Sequence, residues 1–219
     1  MSISLATYAD PRSASAEAYR MLRTNLQFSS PDEPLKSVVV SSATPGEGKT
    51  TTACNLAVTF AQAGKKTLLV DGDLRKPTVH KFFGLANDSG LSSMIVHNQG
   101  EVAELSSVEN LYVITSGPIP PNPAELFSSN KARDLFASLE EQYDIIIVDT
   151  PPIAAVSDAM VLSTYASGTL LIIDHGVVTN DLAQKVVAQL RGVKINILGV
   201  VLNKVPMNGQ DYYYYQYQR

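Results

Sequence analysis

Val38-Val39-Val40-Ser41-Ser42-Ala43-Thr44-Pro45-Gly46-Glu47-Gly48-Lys49-Thr50-Thr51 joins an apolar β-branched run to a loop of small residues and then to a helical pattern. Strand, Gly-rich loop and helix in that order make a phosphate cradle. Small residues let successive backbone N–H groups converge on phosphate oxygens. The helix beginning near Lys49 points its positive end at the same place. Pro45, Gly46, Glu47, Gly48, Lys49, Thr50 and Thr51 are therefore the candidate nucleotide-binding residues. Lys49 is expected to reach the terminal phosphates, and the Thr50 hydroxyl to ligate Mg²⁺. Ala43 stands where the usual pattern has Gly, and it is also small.

Outward from the loop, residues 37–205 alternate between short β-branched runs and longer helical patterns. The spacing predicts strands at Ser37–Ser41, Thr67–Asp71, Leu111–Thr115, Asp144–Asp149, Thr169–Asp174 and Ile197–Asn203. It predicts helices at Ser13–Phe28, Lys49–Ala63, Asn130–Gln142 and Asp181–Arg191. Several strands are continuous apolar runs, as expected where helices cover both faces. The expected fold is α/β, a doubly wound and mostly parallel sheet. Ligands in such sheets bind beyond the carboxyl ends of the strands.

Two predicted strands end there in carboxylates. Leu68-Leu69-Val70-Asp71-Gly72-Asp73-Leu74-Arg75 places two of them two residues apart, on one side in extended geometry. Ile145-Ile146-Ile147-Val148-Asp149-Thr150-Pro151-Pro152 supplies a third. A lone Asp at a strand end is commonly a helix cap or turn residue. Three of them beside a phosphate loop point to metal binding and catalysis. Arg75 and Lys76 either neutralise phosphate charge or cap a surface loop.

Composition narrows the partners. The chain has 219 residues, 45% of them hydrophobic, enough for one sizeable core. Its net charge is −4, so nucleic acid is not the expected main ligand. The single cysteine, Cys54, rules out a disulfide within the chain and reads as a buried apolar residue of a helix. No apolar run approaches the roughly 20 residues needed to span a bilayer. The expected location is cytoplasmic, with membrane association only through a partner. His80, His97 and His175 show no ligand spacing and read as surface or loop residues.

The loop, the Asp71-Gly72-Asp73-Leu74-Arg75 run and Asp149-Thr150-Pro151-Pro152 together resemble the Walker A, A′ and B motifs of the bacterial tyrosine kinases (BY-kinases). The resemblance covers nearly the whole chain. Glu17-Ala18-Tyr19-Arg20-Met21-Leu22-Arg23 looks like that family's Glu-x-x-Arg-x-x-Arg oligomerisation motif. Tyr212-Tyr213-Tyr214-Tyr215-Gln216-Tyr217 looks like its autophosphorylated cluster. The chain's composition and patterning divide it into residues 1–36, 37–205 and 206–219, the last a polar, tyrosine-rich tail. The resemblance makes the first an N-terminal helical oligomerisation segment and the second a P-loop kinase core. It implies ATP with Mg²⁺, ADP as product, a ring-like homo-oligomer, a transmembrane activator whose cytoplasmic segment recruits the chain, and an opposing tyrosine phosphatase. It also implies control of capsule or exopolysaccharide export.

Spacing alone leaves Glu17, Arg20 and Arg23 open as a solvated edge beside the apolar stripe Tyr19, Leu22 and Leu26. The tail, with five tyrosines in its last eight residues, is read as phosphoacceptor because so many exposed rings are unusual in a solvated tail. The expected chemistry uses Lys49 and loop amides on the phosphates, with Thr50, Asp73 and Asp149 on the metal. Asp71 would orient or deprotonate the tyrosine, and the roles of Asp71 and Asp73 are exchangeable at this level. The alternative is a nucleotide-dependent switch ATPase of the partitioning and division-site type, which carries an extra lysine where this chain has Thr44.

Overall fold

The computed structural model describes residues 5–29 and 34–206. In chain order the elements are α1 (Ala6–Ala9), α2 (Ala14–Phe28), β1 (Ser37–Ser42), α3 (Lys49–Gln62), β2 (Thr67–Asp71), α4 (Val79–Phe83), α5 (Leu91–His97), β3 (Ala103–Glu104) and β4 (Leu111–Ile114). They continue with α6 (Pro123–Phe127), α7 (Asn130–Gln142), β5 (Ile145–Asp149), α8 (Asp158–Ser163), β6 (Gly168–Asp174), α9 (Asn180–Gly192) and β7 (Ile197–Asn203).

The seven strands form one sheet in the order β3-β4-β2-β5-β1-β6-β7. Every pairing is parallel except that of β3 with β4. The sheet is therefore the mostly parallel α/β fold the sequence predicts. The inner strands β1, β2, β5 and β6 are buried on both faces, which explains their largely apolar runs, whereas the edge strand β7 leaves Val200 and Leu202 exposed. Val38 and Val40 pack with α3 on one face, while Val39 packs with Phe127, Phe136 and Leu162 on the other. After β1 the chain crosses over the position of β5 to build β2, so β5 and β6 both flank β1. A crevice opens at such a reversal of winding, and the loop after β1 lies in it.

Helix α3 is enclosed: every residue from Thr52 to Ala61 is buried. Cys54 is among them, and burial pushes its thiol well above the usual range. The N-terminal helices supply part of this cover. Leu5 and Leu26 join the α3 cluster. Buried Thr7 donates to Asn55 Oδ1 from its N–H (3.1 Å) and hydroxyl (2.9 Å).

Five short helices, α1, α4, α5, α6 and α8, and the two-residue β3 go beyond the sequence reading. They are too short to display a period. Pro118, Pro120 and Pro121 precede α6, and Pro123 is its first residue, where a missing N–H costs nothing. His80 and His97 lie within helices α4 and α5. Among the described residues, no helix is long and apolar enough to cross a membrane.

Candidate active site

The loop between β1 and α3 depends on two glycines in the left-handed region, Gly46 (φ 85°) and Gly48 (φ 93°). Gly48 is also the N-cap of α3, so Lys49 and Thr50 open the helix and carry its unpaired N–H groups. The site residues predicted from the loop and the two strand ends come together here. Thr50 Oγ1 donates to Asp149 Oδ2 at 2.7 Å. Lys49 Nζ lies 3.6 Å from Asp73 Oδ2. Asp71 and Asp149 are direct neighbours in the β2–β5 register.

The three carboxylates differ in surroundings. Asp71 Oδ2 accepts from the N–H groups of Thr78 (3.1 Å) and Val79 (3.0 Å), which start α4. Asp73 Oδ1 accepts from Lys76 N (3.0 Å) and Arg75 N (3.3 Å), holding the turn after β2. Asp71 and Asp149 are fully buried, and each keeps one oxygen, Oδ1, with no hydrogen-bond partner in the protein. Burial pushes the Asp71 carboxyl up to about 6, opposed by the Val79 N–H and aided by Asp73. Burial pushes Asp149 up to about 8, opposed by the Lys49 charge and aided by Asp71.

Unpaired buried carboxylate oxygens are costly unless a cation meets them. The Thr50 hydroxyl with Asp149 Oδ1 forms a hard-oxygen donor pair suited to Mg²⁺, which binds one or two carboxylates and draws its remaining ligands from water and phosphate. Asp71 Oδ1 is left free to meet a proton. Among the described residues no three His, Cys, Asp or Glu side chains gather into a self-sufficient metal cage.

Three sequence expectations change in detail. Glu47, read as part of the nucleotide cradle, is 1% exposed and turns its side chain inward, away from where phosphates would lie. Its carboxylate is taken up by Thr44 and by the N–H of Asp174. Arg75 pairs in bidentate fashion with fully buried Asp158 (2.7 and 3.0 Å), so it ties the β2 loop to α8 rather than facing the loop as a free cation. Arg23 is drawn into its own chain, donating at 3.0 Å to the Thr59 carbonyl in the last turn of α3. That contact complements the negative end of the helix. Glu17 and Arg20 are half-exposed and paired with each other at 2.6 Å. The tail tyrosines Tyr212, Tyr213, Tyr214, Tyr215 and Tyr217 lie outside the described residues.

Asp158, Asp174, Asn203 and Lys204 escaped the sequence reading. Asp174 ends β6 as Asp71 and Asp149 end their strands, so the strand-end pattern could have found it. Nothing in the sequence pairs Asp158 with Arg75 across a separation of 83 residues.

An AAA domain family model matches residues 35–197. The tyrosine-protein kinase YwqD of Bacillus subtilis is 46% identical over 208 residues, 94% of this chain and 88% of that protein. The chain belongs to the bacterial tyrosine-kinase family. Among solved structures in this family, the chimerical protein CapA2B2 superposes with a TM-score of 0.89 at 40% identity, covering 94% of this chain and 92% of its own. The kinase domain of the Escherichia coli tyrosine kinase ETK gives 0.90 at 32% identity, covering 95% and 83%. The division-site relationship is distant: the Pyrococcus horikoshii septum site-determining protein MinD, complexed with Mg-ADP, gives 0.66 at 24%, covering 80% and 72%, which is a likeness of fold alone.

The raised carboxyls predict how the metal-free kinase responds to pH. Both folded-state values lie above the ordinary carboxylate value of 3.8. Their protonated forms therefore favour the fold. That stabilisation is full below about pH 4 and is lost as pH rises through 6 for Asp71 and then 8 for Asp149. Asp71 alone accounts for about 3 kcal/mol at 1.4 kcal/mol per pH unit. Between pH 5 and 8.5 the two groups together release about 5 kcal/mol, most of it from Asp149, so the Tm of the metal-free protein should fall by roughly 10–20 °C. Mg²⁺ with ADP, or Asp149→Asn, should flatten the slope. Calorimetry checks this, and a Tm that holds or rises over that range contradicts the assignment.

Proposed function

We propose that this chain transfers the γ-phosphoryl group of ATP to tyrosine hydroxyls, first those of its own tail carried by a neighbouring copy. The tyrosine Oη attacks the γ-phosphorus, its bond to the bridging oxygen of ADP breaks, and the phenolic proton passes to Asp71. Catalysis of this kind is mostly positioning and charge stabilisation. Lys49 and the loop N–H groups hold the phosphates. Thr50 and Asp149 would hold Mg²⁺, with Asp73 acting through water, and the ion would supply positive charge against the phosphates. Asp71 is the preferred base because its carboxyl, near 6, takes a proton readily at neutral pH while still being mostly ionised. Tyrosine, with a pKa near 10, needs such help. The observation that carries this reading is the pair of buried strand-end carboxylates, Asp71 and Asp149, each with an unpartnered oxygen beside Lys49 and Thr50.

The family supports the wider setting. We assign Tyr212, Tyr213, Tyr214, Tyr215 and Tyr217 as acceptors, and Glu17, Arg20 and Arg23 as the helix through which copies assemble, in a ring. The membrane partner is the cytoplasmic segment of a transmembrane activator, a tyrosine phosphatase resets the tail, and the output is capsule or exopolysaccharide production. Each phosphate adds about −1.5 to −2 charges, so a modified tail is repelled by Asp71, Asp73 and Asp149 and leaves its neighbour's site.

A mixture of two variants tests transfer between copies. One chain carries Lys49→Met and keeps its tyrosines. The other has an intact loop and Phe at all five tail positions. Label from γ-labelled ATP is expected on the Lys49→Met chain, with the assembly shrinking as label accumulates. An unlabelled Lys49→Met chain, under conditions in which the wild-type chain labels itself, overturns transfer in trans.

A further inference from the structure

Glu47 places a carboxylate in the middle of a loop built for phosphates, where its charge opposes the ligand. The fold turns that side chain away. Pro45 and Gly46 on one side of it are exposed, whereas Glu47 is buried. Oε1 accepts from the Thr44 N–H and from the Thr44 hydroxyl at 3.0 Å. Oε2 accepts from the Asp174 N–H at 2.9 Å, at the end of β6. The main chain of the same loop is gripped from β7. Asn203 Nδ2 donates to the Glu47 carbonyl at 2.8 Å, and Lys204 Nζ donates to the Gly46 carbonyl at 2.7 Å. Lys204 also pairs with Asp174 Oδ2 at 2.6 Å, closing a ring of contacts. The grip is close: a Cβ on Gly48 would fall 2.2 Å from Asn203 Nδ2.

We propose that Glu47 is a positioning residue for the phosphate loop, an internal strut that fixes the loop against the carboxyl ends of β6 and β7, with Lys204 as its outer arm. The inference rests on the reading of this loop as the ATP site. Both Glu47 oxygens act as acceptors from N–H donors. The Glu47→Gln change therefore turns an NH₂ group toward one of those donors, and Glu47→Asp leaves the carboxylate one methylene too short to span the gap. A preformed loop binds nucleotide without reorganising, so losing the strut adds a reorganisation cost to binding. Bound phosphates restore the loop, and the step after binding is spared.

The test measures the Kd for Mg·ADP, and KM and kcat for ATP, in wild type, Glu47→Gln and Lys204→Met. Glu47→Gln is expected to raise Kd and KM about 10-fold while kcat changes less than about 3-fold. Lys204→Met, at a half-exposed position, should raise KM about 3-fold in the same pattern. A purely structural defect would lower Tm and the active fraction, and hence apparent kcat, leaving KM unchanged. If Glu47→Gln does not fold, Lys204→Met decides. Wild-type Kd and KM in the folded variants overturn the inference, as does a loss confined to kcat. Failure of the wild-type chain to bind Mg·ADP would instead overturn the assignment of the nucleotide site.

Discussion

Replacing Lys49 with Met should cut tyrosine phosphorylation by about 10³-fold or more while the chain stays folded. A cation aimed at the transferred phosphoryl group stabilises charge that develops in the transition state, and removing one such donor typically costs about 10²–10³. Lys49 also counters the burial of Asp149, being the largest influence that lowers that carboxyl. Its replacement should let the Asp149 carboxyl rise further above about 8, so that a metal ion must displace a more tightly held proton, which weakens the metal site as well. The two losses act on the same step. The fold should tolerate the change because Met has a similar length and the ionic partner, Asp73, keeps its bonds to Lys76 N and Arg75 N. Mass spectrometry of the tail, with thermal melting as the folding control, measures both halves. Near-normal labelling in a folded Lys49→Met protein contradicts the mechanism.

Periodicity and punctuation made most of this fold legible. Continuous apolar runs gave six of the seven strands, two of them, Thr67–Asp71 and Ile197–Asn203, with unchanged ends. In the structure Ser13 and Ser129 cap α2 and α7, each side chain accepting an N–H of the first turn, from Ala16 and Ala132. The site was legible where its chemistry is local. The phosphate loop is one contiguous segment, and a carboxylate at the end of a parallel strand falls beside it by topology alone. What resisted reading is chemistry assembled across the chain. Whether Arg75 faces a phosphate or a buried Asp158 is decided by α8, whose six residues show no period. The inward turn of Glu47 depends on Asp174 being nearby, which is a consequence of β6 lying next to β1. Arg23 shares its helix stripe with Glu17 and Arg20, yet only Arg23 sits over the last turn of α3. Tertiary position, rather than spacing, separates it from the other two.

Asp71→Asn makes the sharpest demand on the account. Asn keeps the shape and retains an acceptor for the Thr78 and Val79 N–H groups. It removes a buried charge, so the metal-free variant should melt higher than wild type at pH 8. It cannot take the phenolic proton. General-base catalysis contributes about 10²–10⁴, and the rate of tyrosine phosphorylation should fall by that factor. Affinity for Mg·ADP should change only a few-fold, since Lys49, Thr50, Asp73 and Asp149 remain. Asp73→Asn should do the reverse, raising the Mg²⁺ requirement more than it slows a saturated enzyme. The decisive measurement is the initial rate of phosphotyrosine formation by Asp71→Asn at saturating ATP and Mg²⁺, beside its Kd for Mg·ADP. A rate at least about 100-fold below wild type with near-normal affinity is the predicted result; a wild-type rate would show that Asp71 is not the base and that the carboxylate cluster has been assigned wrongly.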